Sequence, residues 1–377
     1  MKKDKIFNFK QLFKNNNYYI ILPMLLLVII GCVMVYSASY YGAGITYGNE
    51  YHFLTKQIVG AVLGLIAFCI TSVLDYKVLK KVSKILLIIS MVLLCLVFIP
   101  GIGVTNYGAT RWINLGFSTF QPSELAKFAF VIFCSEYLSK NLNKPQTIKK
   151  ILPIILVGGL ICVLIMLEPN MSITICVGLV LLFMIFISGA SYKLFLVLGG
   201  LVCLLVPVLI IIEPYRIKRL VAFLNPWENS LDEGYQLVQS LYSLGNGGLF
   251  GVGLFNSRQK YLFLPFSESD FIFSIIGEEF GLFGVCVIIL LFLFITLNGI
   301  KVATKCKDSF GVYLSSGIVA VIVIQVLINI AVVTGSIPPT GVPLPFISAG
   351  STSLVVFMSA VGILNNIHKQ NKKLSSC

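Results

Sequence analysis

Apolar residues run along this chain in long blocks rather than alternating with polar ones. The blocks fall at roughly 19–40, 54–74, 84–100, 122–139, 151–167, 171–189, 193–213, 271–299, 310–334 and 343–367. Most approach or exceed the roughly 20 residues that a helix needs to cross the hydrocarbon core of a bilayer. The pattern therefore predicts an all-α polytopic membrane protein with about ten transmembrane helices, a single domain over 1–377. Short tails, 1–18 and 368–377, flank it, and one long interruption, 214–270, separates the seventh and eighth blocks. The fourth block is the most polar, since Glu124, Lys127 and Glu136 interrupt it. The first block, from Tyr18 to Ser39, is too long for a signal-peptide core and reads as the first spanning helix.

Composition agrees with lipid doing the burying. The chain is 57% hydrophobic and 11% charged, against about 25% charged in soluble domains. A net charge of +13 raises nucleic acid as a partner, but the basic residues sit in short clusters between apolar blocks. That is where the positive-inside rule puts them. With the N-terminus inside and all ten blocks crossing, twenty of the twenty-eight Lys and Arg residues face the cytoplasm. Skipping the fourth block would move Lys301, Lys305 and Lys307 outside, so that block is expected to span despite its charges. Both termini are then cytoplasmic and 214–270 lies outside. Lys56, Arg111, Lys127, Arg216, Lys218, Arg219, Arg258 and Lys260 break the pattern and are available for other work. Most of the ten cysteines lie inside apolar blocks, and none has disulfide or metal-ligand spacing.

Ionisable residues in membrane segments mark functional candidates, and three groups qualify. In the first, an outer loop carrying Arg111 leads to Gln121-Pro122-Ser123-Glu124-Leu125-Ala126-Lys127. Pro122 suits a first helical turn, and Glu124 and Lys127, at i and i+3, share a face. The group is either a structural ion pair in the bundle or a cationic cradle for an anionic headgroup, with Arg111 able to grip phosphate bidentately. In the second, Arg258 and Lys260 precede Leu264-Pro265-Phe266-Ser267-Glu268-Ser269-Asp270, and Phe271 opens a helix. Asp270 is either an N-cap or, at the head of a polar stripe with Ser274 and Glu278, a general base whose pKa is raised beside lipid. The third is Pro338 to Ser353, with four prolines and Ser348 among small polar residues. It is either a kinked helix with a re-entrant start or a wall of a substrate cavity. The long loop, Gly-rich at 245–253 and amphipathic from Tyr235 to Leu244, reads as an ordered cap against the membrane. His52 and His368 have no metal-ligand company, and no nucleotide-loop, zinc-protease or serine-hydrolase pattern occurs.

Read in order, several strings carry a resemblance: Ala109-Thr110-Arg111-Trp112-Ile113, the run from Gln121 to Lys127, Asn225-Pro226-Trp227 and Gly234-Tyr235-Gln236. Gly247 to Gly253, Asp270 to Phe273, Glu278-Glu279 and Thr340 to Ser348 continue it. Together they resemble the SEDS family, the FtsW, RodA and SpoVE group of bacterial cell-wall proteins, nearer in flavour to FtsW and SpoVE. The resemblance implies a multi-pass peptidoglycan glycosyltransferase of the bacterial cytoplasmic membrane. It would polymerise lipid II at the outer face, in division, cell shape or sporulation. A class B penicillin-binding protein transpeptidase would be its partner, with other division or elongation proteins around it and no nucleic acid. The family's essential aspartate maps onto Asp270, and its acidic and basic helix pair onto Glu124 and Lys127. Arg111, Arg258, Lys260, Ser274, Glu278 and Ser348 are the substrate-binding candidates. No cofactor is required by the pattern, and a divalent cation stays open. The chain departs from the family at Asn170 and Ser172, at Phe266 where Leu-Pro-Glu is usual, and at Ala349. A lipid II flippase and a weakly active scaffold for the transpeptidase are the alternative readings.

Overall fold

The computed structural model describes residues 15–106, 109–114, 116, 119–141, 148–212 and 214–375. Twelve helices and three strands cover most of them. Helix α1 (Tyr18–Tyr47), α2 (His52–Val73) and α3 (Lys77–Leu96) come first, then strands β1 (Gly103–Asn106), β2 (Ala109–Asn114) and β3 (Thr119–Phe120). Helices α4 (Pro122–Lys140), α5 (Ile148–Leu167), α6 (Met171–Ile187) and α7 (Tyr192–Ile212) follow. The long interruption holds α8 (Pro214–Leu224) and α9 (Tyr235–Gly247), and α10 (Ile272–Thr304), α11 (Ser309–Val333) and α12 (Ser351–Ser375) complete the chain. Six of them, α1, α2, α5, α10, α11 and α12, are long and apolar enough to cross a membrane.

Two expectations are corrected. The fold is not purely helical, because the segment around Arg111 is a three-stranded antiparallel sheet in the order β1-β2-β3 rather than an open loop. Val104, Thr105, Thr110, Trp112 and Ile113 are β-branched or aromatic and suit a pleated surface. A search for blocks of 20 residues passes over strands this short. The last apolar block also starts too early. Helix α12 begins at Ser351, and 337–350 is irregular, because prolines at 338, 339, 343 and 345 remove amide donors and clash with a helical backbone.

Helix α4 tolerates its charges because protein, not lipid, surrounds it. All but four of its 19 residues are buried, between α3 on one side and α11 on the other. Helix α11 packs against α4, α6, α10 and α12 and buries both its apolar residues and the polar Gln325 and Asn329.

The Gly-rich stretch is explained by a break in α10. Gly281 sits at φ 64°, ψ −163°, a conformation open to glycine. The break frees the carbonyls of Glu278 and Glu279, which accept from the amides of Val252 and Gly253 at 2.9 and 3.0 Å. In return Leu282 and Phe283 donate to the carbonyls of Gly248 and Leu249 at 2.9 and 3.1 Å. A Cβ at Gly251 would fall 2.1 Å from the Glu279 carbonyl oxygen. The glycines thus dock backbone on backbone, and the long loop is ordered, as expected from its amphipathic stretch.

Candidate functional site

Asp270 stands immediately before α10 but does not cap it. Phe271 occupies the N-cap position, and no side-chain cap bond forms there. What holds Asp270 is its backbone and that of its neighbours. The Glu268 carbonyl accepts from Ala349 N at 2.9 Å. The Ser269 carbonyl accepts from Ser348 Oγ at 2.6 Å, and the Asp270 carbonyl accepts from Asn329 Nδ2 at 2.8 Å. Three successive peptide groups are therefore tied to α11 and the Pro-rich segment, and no described side chain hydrogen-bonds the Asp270 carboxyl. Ser348 acts here as a clamp, since its hydroxyl also accepts from Leu344 N at 2.7 Å.

The electrostatics around that carboxyl are mixed. Burial pushes the Asp270 pKa up to about 6, helped by the nearby Glu268 charge and opposed by the guanidiniums of Arg111 and Arg219. Glu268 is itself raised by burial. Arg111 is positioned by β2 and by the turn between α5 and α6. Its Nε donates to the Glu168 carbonyl at 3.2 Å, and its Nη2 donates to the Pro169 carbonyl. The Glu168 side chain is fully buried, neither carboxyl oxygen has a hydrogen-bond partner, and burial pushes its pKa up to about 8 against the pull of Arg111. Asn170 caps α6 through Ile173 N at 3.4 Å, so an amide at this position does a structural job. Arg219, on α8, donates to the Pro339 carbonyl at 3.4 Å. Sequence reasoning singled out its charge but gave it no role. Its place beside Asp270 depends on how the long loop folds back.

Other candidates lie elsewhere. Glu124 and Lys127 form a fully buried ion pair at 2.9 Å, and Lys127 Nζ also donates to Gln325 Oε1. The ammonium lies 5.4 Å from the centre of the Phe357 ring. Lys260 pairs with Glu279 at 3.1 Å, within an aromatic surround of Tyr40, Phe255 and Tyr261. Glu278 gathers the loop instead of facing open space: it accepts from Ser257 Oγ, from Arg258 N at 3.1 Å and from Gln259 N at 3.4 Å. Ser274 exchanges a 2.7 Å hydrogen bond with Ser240 of α9. The polar stripe below Asp270 thus fastens the cap. The turn before Asp270 also borders a cavity of about 350 Å³ whose lining includes Ser39, Thr46, Phe53, Lys260, Phe266 and Glu268. Among the described residues no three His, Cys, Asp or Glu side chains stand together as a metal site would need.

The chain matches the Cell cycle protein family of FtsW, RodA and SpoVE over residues 17–373. It is 40% identical to stage V sporulation protein E of Bacillus subtilis (strain 168) over 348 residues, covering 92% of this chain and 95% of that one. It is 38% identical to the probable peptidoglycan glycosyltransferase FtsW of Geobacter sulfurreducens (strain DL-1 / KN400) over 347 residues, 92% and 93% of the two chains. Two solved folds are similar. One comes from a peptidoglycan synthase complex that coordinates polymerization and crosslinking (TM-score 0.79, 24% identity, 94% and 98% of the two chains). The other is the rod-shape-determining protein RodA of Thermus thermophilus (TM-score 0.70, 23% identity, 95% and 98%). With its multi-pass helical architecture and near full-length matches, the chain belongs to the FtsW, RodA and SpoVE family of cell cycle proteins.

Proposed function

We propose that the chain is a peptidoglycan glycosyltransferase that polymerises lipid II at the outer face of a bacterial cytoplasmic membrane. The observation that carries the chemistry is Asp270. Its backbone is clamped on consecutive peptide groups, and its carboxyl lies within the fields of two guanidiniums. A base for a sugar hydroxyl must be ionised, fixed in place and of tuned pKa, and Asp270 combines the three at neutral pH.

In the reaction the 4-hydroxyl oxygen of the acceptor sugar attacks the anomeric carbon of the growing strand. Its proton passes to the Asp270 carboxylate. The bond from the anomeric carbon to the lipid pyrophosphate breaks with inversion, and negative charge builds on the departing oxygen. Arg111 and Arg219 are the cations held near Asp270, and they stabilise that charge by electrostatic preorganisation. Lys127, buried against Glu124 and Gln325, supports the site from within the bundle. Confinement of both substrates to one leaflet supplies proximity.

Ten crossings with cytoplasmic termini would open this site to the outer leaflet. A crosslinking partner follows from the reading, since one similar fold comes from a synthase complex that both polymerises and crosslinks. We assign that partner as a class B penicillin-binding protein. The test is polymerisation of labelled lipid II by the purified full chain, with and without such a partner. The natural protein makes glycan, and Asp270→Ala lowers the rate at least about 100-fold. Glycan made by Asp270→Ala at the natural rate would end the base assignment.

A further inference from the structure

Helix α11 buries two amide side chains, Gln325 and Asn329, within an otherwise apolar stretch. Gln325 and Asn329 are four residues apart, so they project from one face of the helix. Both are buried, at 0% and 1% exposure. A buried amide is costly unless paired, and a helix needs neither side chain for its own hydrogen bonds. Both pair outside their helix. Gln325 accepts from the Lys127 ammonium and donates through Nε2 to the Pro343 carbonyl at 2.9 Å. Asn329 Nδ2 donates to the Asp270 carbonyl at 2.8 Å and to the Val342 carbonyl at 2.7 Å.

Two successive carbonyls of the Pro-rich segment, Val342 and Pro343, are therefore held by two successive turns of one helix. Each amide bridges that segment to one of the groups implicated in chemistry, Asp270 or the Glu124–Lys127 pair. The residue just before Val342 is also in play. A Cβ built on Gly341 would lie 2.9 Å from Asp270 Oδ2, so where 341–343 sits decides how much room the carboxyl has. The prolines keep this stretch irregular and its carbonyls open.

We propose that Gln325 and Asn329 are positioning residues for glycosyl transfer. They hold the Asp270 carboxyl and the Glu124–Lys127 pair in one register through the shared 342–343 carbonyls. The inference rests on Asp270 acting as the base.

The experiment measures kcat, KM for lipid II and the pH profile of kcat for the full chain and its variants Asn329→Leu, Gln325→Leu and their double. Asp270→Ala is run alongside. Asn298→Leu serves as a control, since that buried amide bonds only within its own helix, to the Phe294 carbonyl. Thermal unfolding in the same detergent reports folding. Each leucine variant is expected to lower kcat about ten-fold or more, leave KM within about three-fold, and move the acid limb of the pH profile. The double variant falls no further than about the worse single, because both act through one two-residue stretch. If Asn329→Leu does not fold, Asn329→Ser, which keeps one donor, takes its place and gives an intermediate kcat with a shifted limb. Folded variants with the natural kcat and pH limb, or effects that multiply as independent sites do, overturn the inference while Asp270→Ala stays inactive. An active Asp270→Ala removes the base assignment and the inference with it.

Discussion

Asp270 shows how one carboxyl is tuned by opposed neighbours. Burial and the Glu268 charge raise its pKa from 3.8 to about 6, and Arg111 and Arg219 restrain the rise. A base works only when ionised, so the rate should fall as pH drops through about 6, approaching ten-fold per unit below it. Arg219→Ala removes a pull that favours the ionised form, so the acid limb should move to higher pH. Initial rates of lipid II consumption from pH 5 to 8 measure both, and a limb unmoved in Arg219→Ala means that this guanidinium does not act on the carboxyl. Gly341 offers a steric counterpart. It sits at φ 71° against Asp270 Oδ2, so Gly341→Ala is strained in its backbone and crowds the carboxyl. The expected result is a kcat loss of about ten-fold or more with the chain still folded, read in the same polymerisation assay beside thermal unfolding.

Helices α4 and α11 meet over charges that the apolar bundle cannot solvate. Glu124 and Lys127 are fully buried, and one oxygen of Glu124 has no hydrogen-bond partner. Removing one member of a buried pair strands the other charge. Lys127→Met should destabilise the protein by about 3–5 kcal/mol, and Glu124→Gln with Lys127→Met should recover most of that loss. Chemical denaturation in detergent measures it; equal destabilisation by the single and double variants would show that charge isolation is not the cause. The pair itself was legible, because spacing of i and i+3 on a helix opened by Pro122 puts both residues on one face. Its partner Gln325 was not, since a lone amide inside the block 310–334 says nothing about what faces it. The same holds for Asn329 and Arg219, whose roles arise only where distant segments meet. Strands β1 to β3 were missed because their apolar positions are too few to form a block. The start of α12 was misplaced because prolines 343 and 345 sit in a stretch as apolar as the helix after it. The polar stripe of Ser274 and Glu278 was legible from its spacing, but not that both would hydrogen-bond the long loop.

At the scale of the molecule, hydrogen bonds between loops constrain which helices cross. Arg111, after α3, bonds the carbonyls of Glu168 and Pro169, after α5. The two turns therefore lie at the same end of the bundle, and the number of crossings between them is even. Helix α5 is apolar enough to cross, and if it crosses, α4 is expected to cross as well despite its charges. Arg219, at the start of the long loop, bonds the Pro339 carbonyl after α11, which gathers the loops around Asp270 at that same end. The opposite end has its own ties: Asn17 N donates to Asn365 Oδ1 at 2.9 Å, and the Tyr76 hydroxyl donates to Asp308 Oδ2 at 3.2 Å. Basic residues cluster at this second end, so the expectation is that it faces the cytoplasm. Labelling with a membrane-impermeant maleimide in intact cells tests the arrangement. Asp232→Cys, in the long loop, should react from outside, whereas Lys307→Cys should react only after the membrane is opened; both side chains are exposed. If α4 failed to cross, every later loop would change sides and the two cysteines would exchange behaviour. That reversal would also move Asp270 to the inner leaflet, where a site for building wall outside the cell could not work.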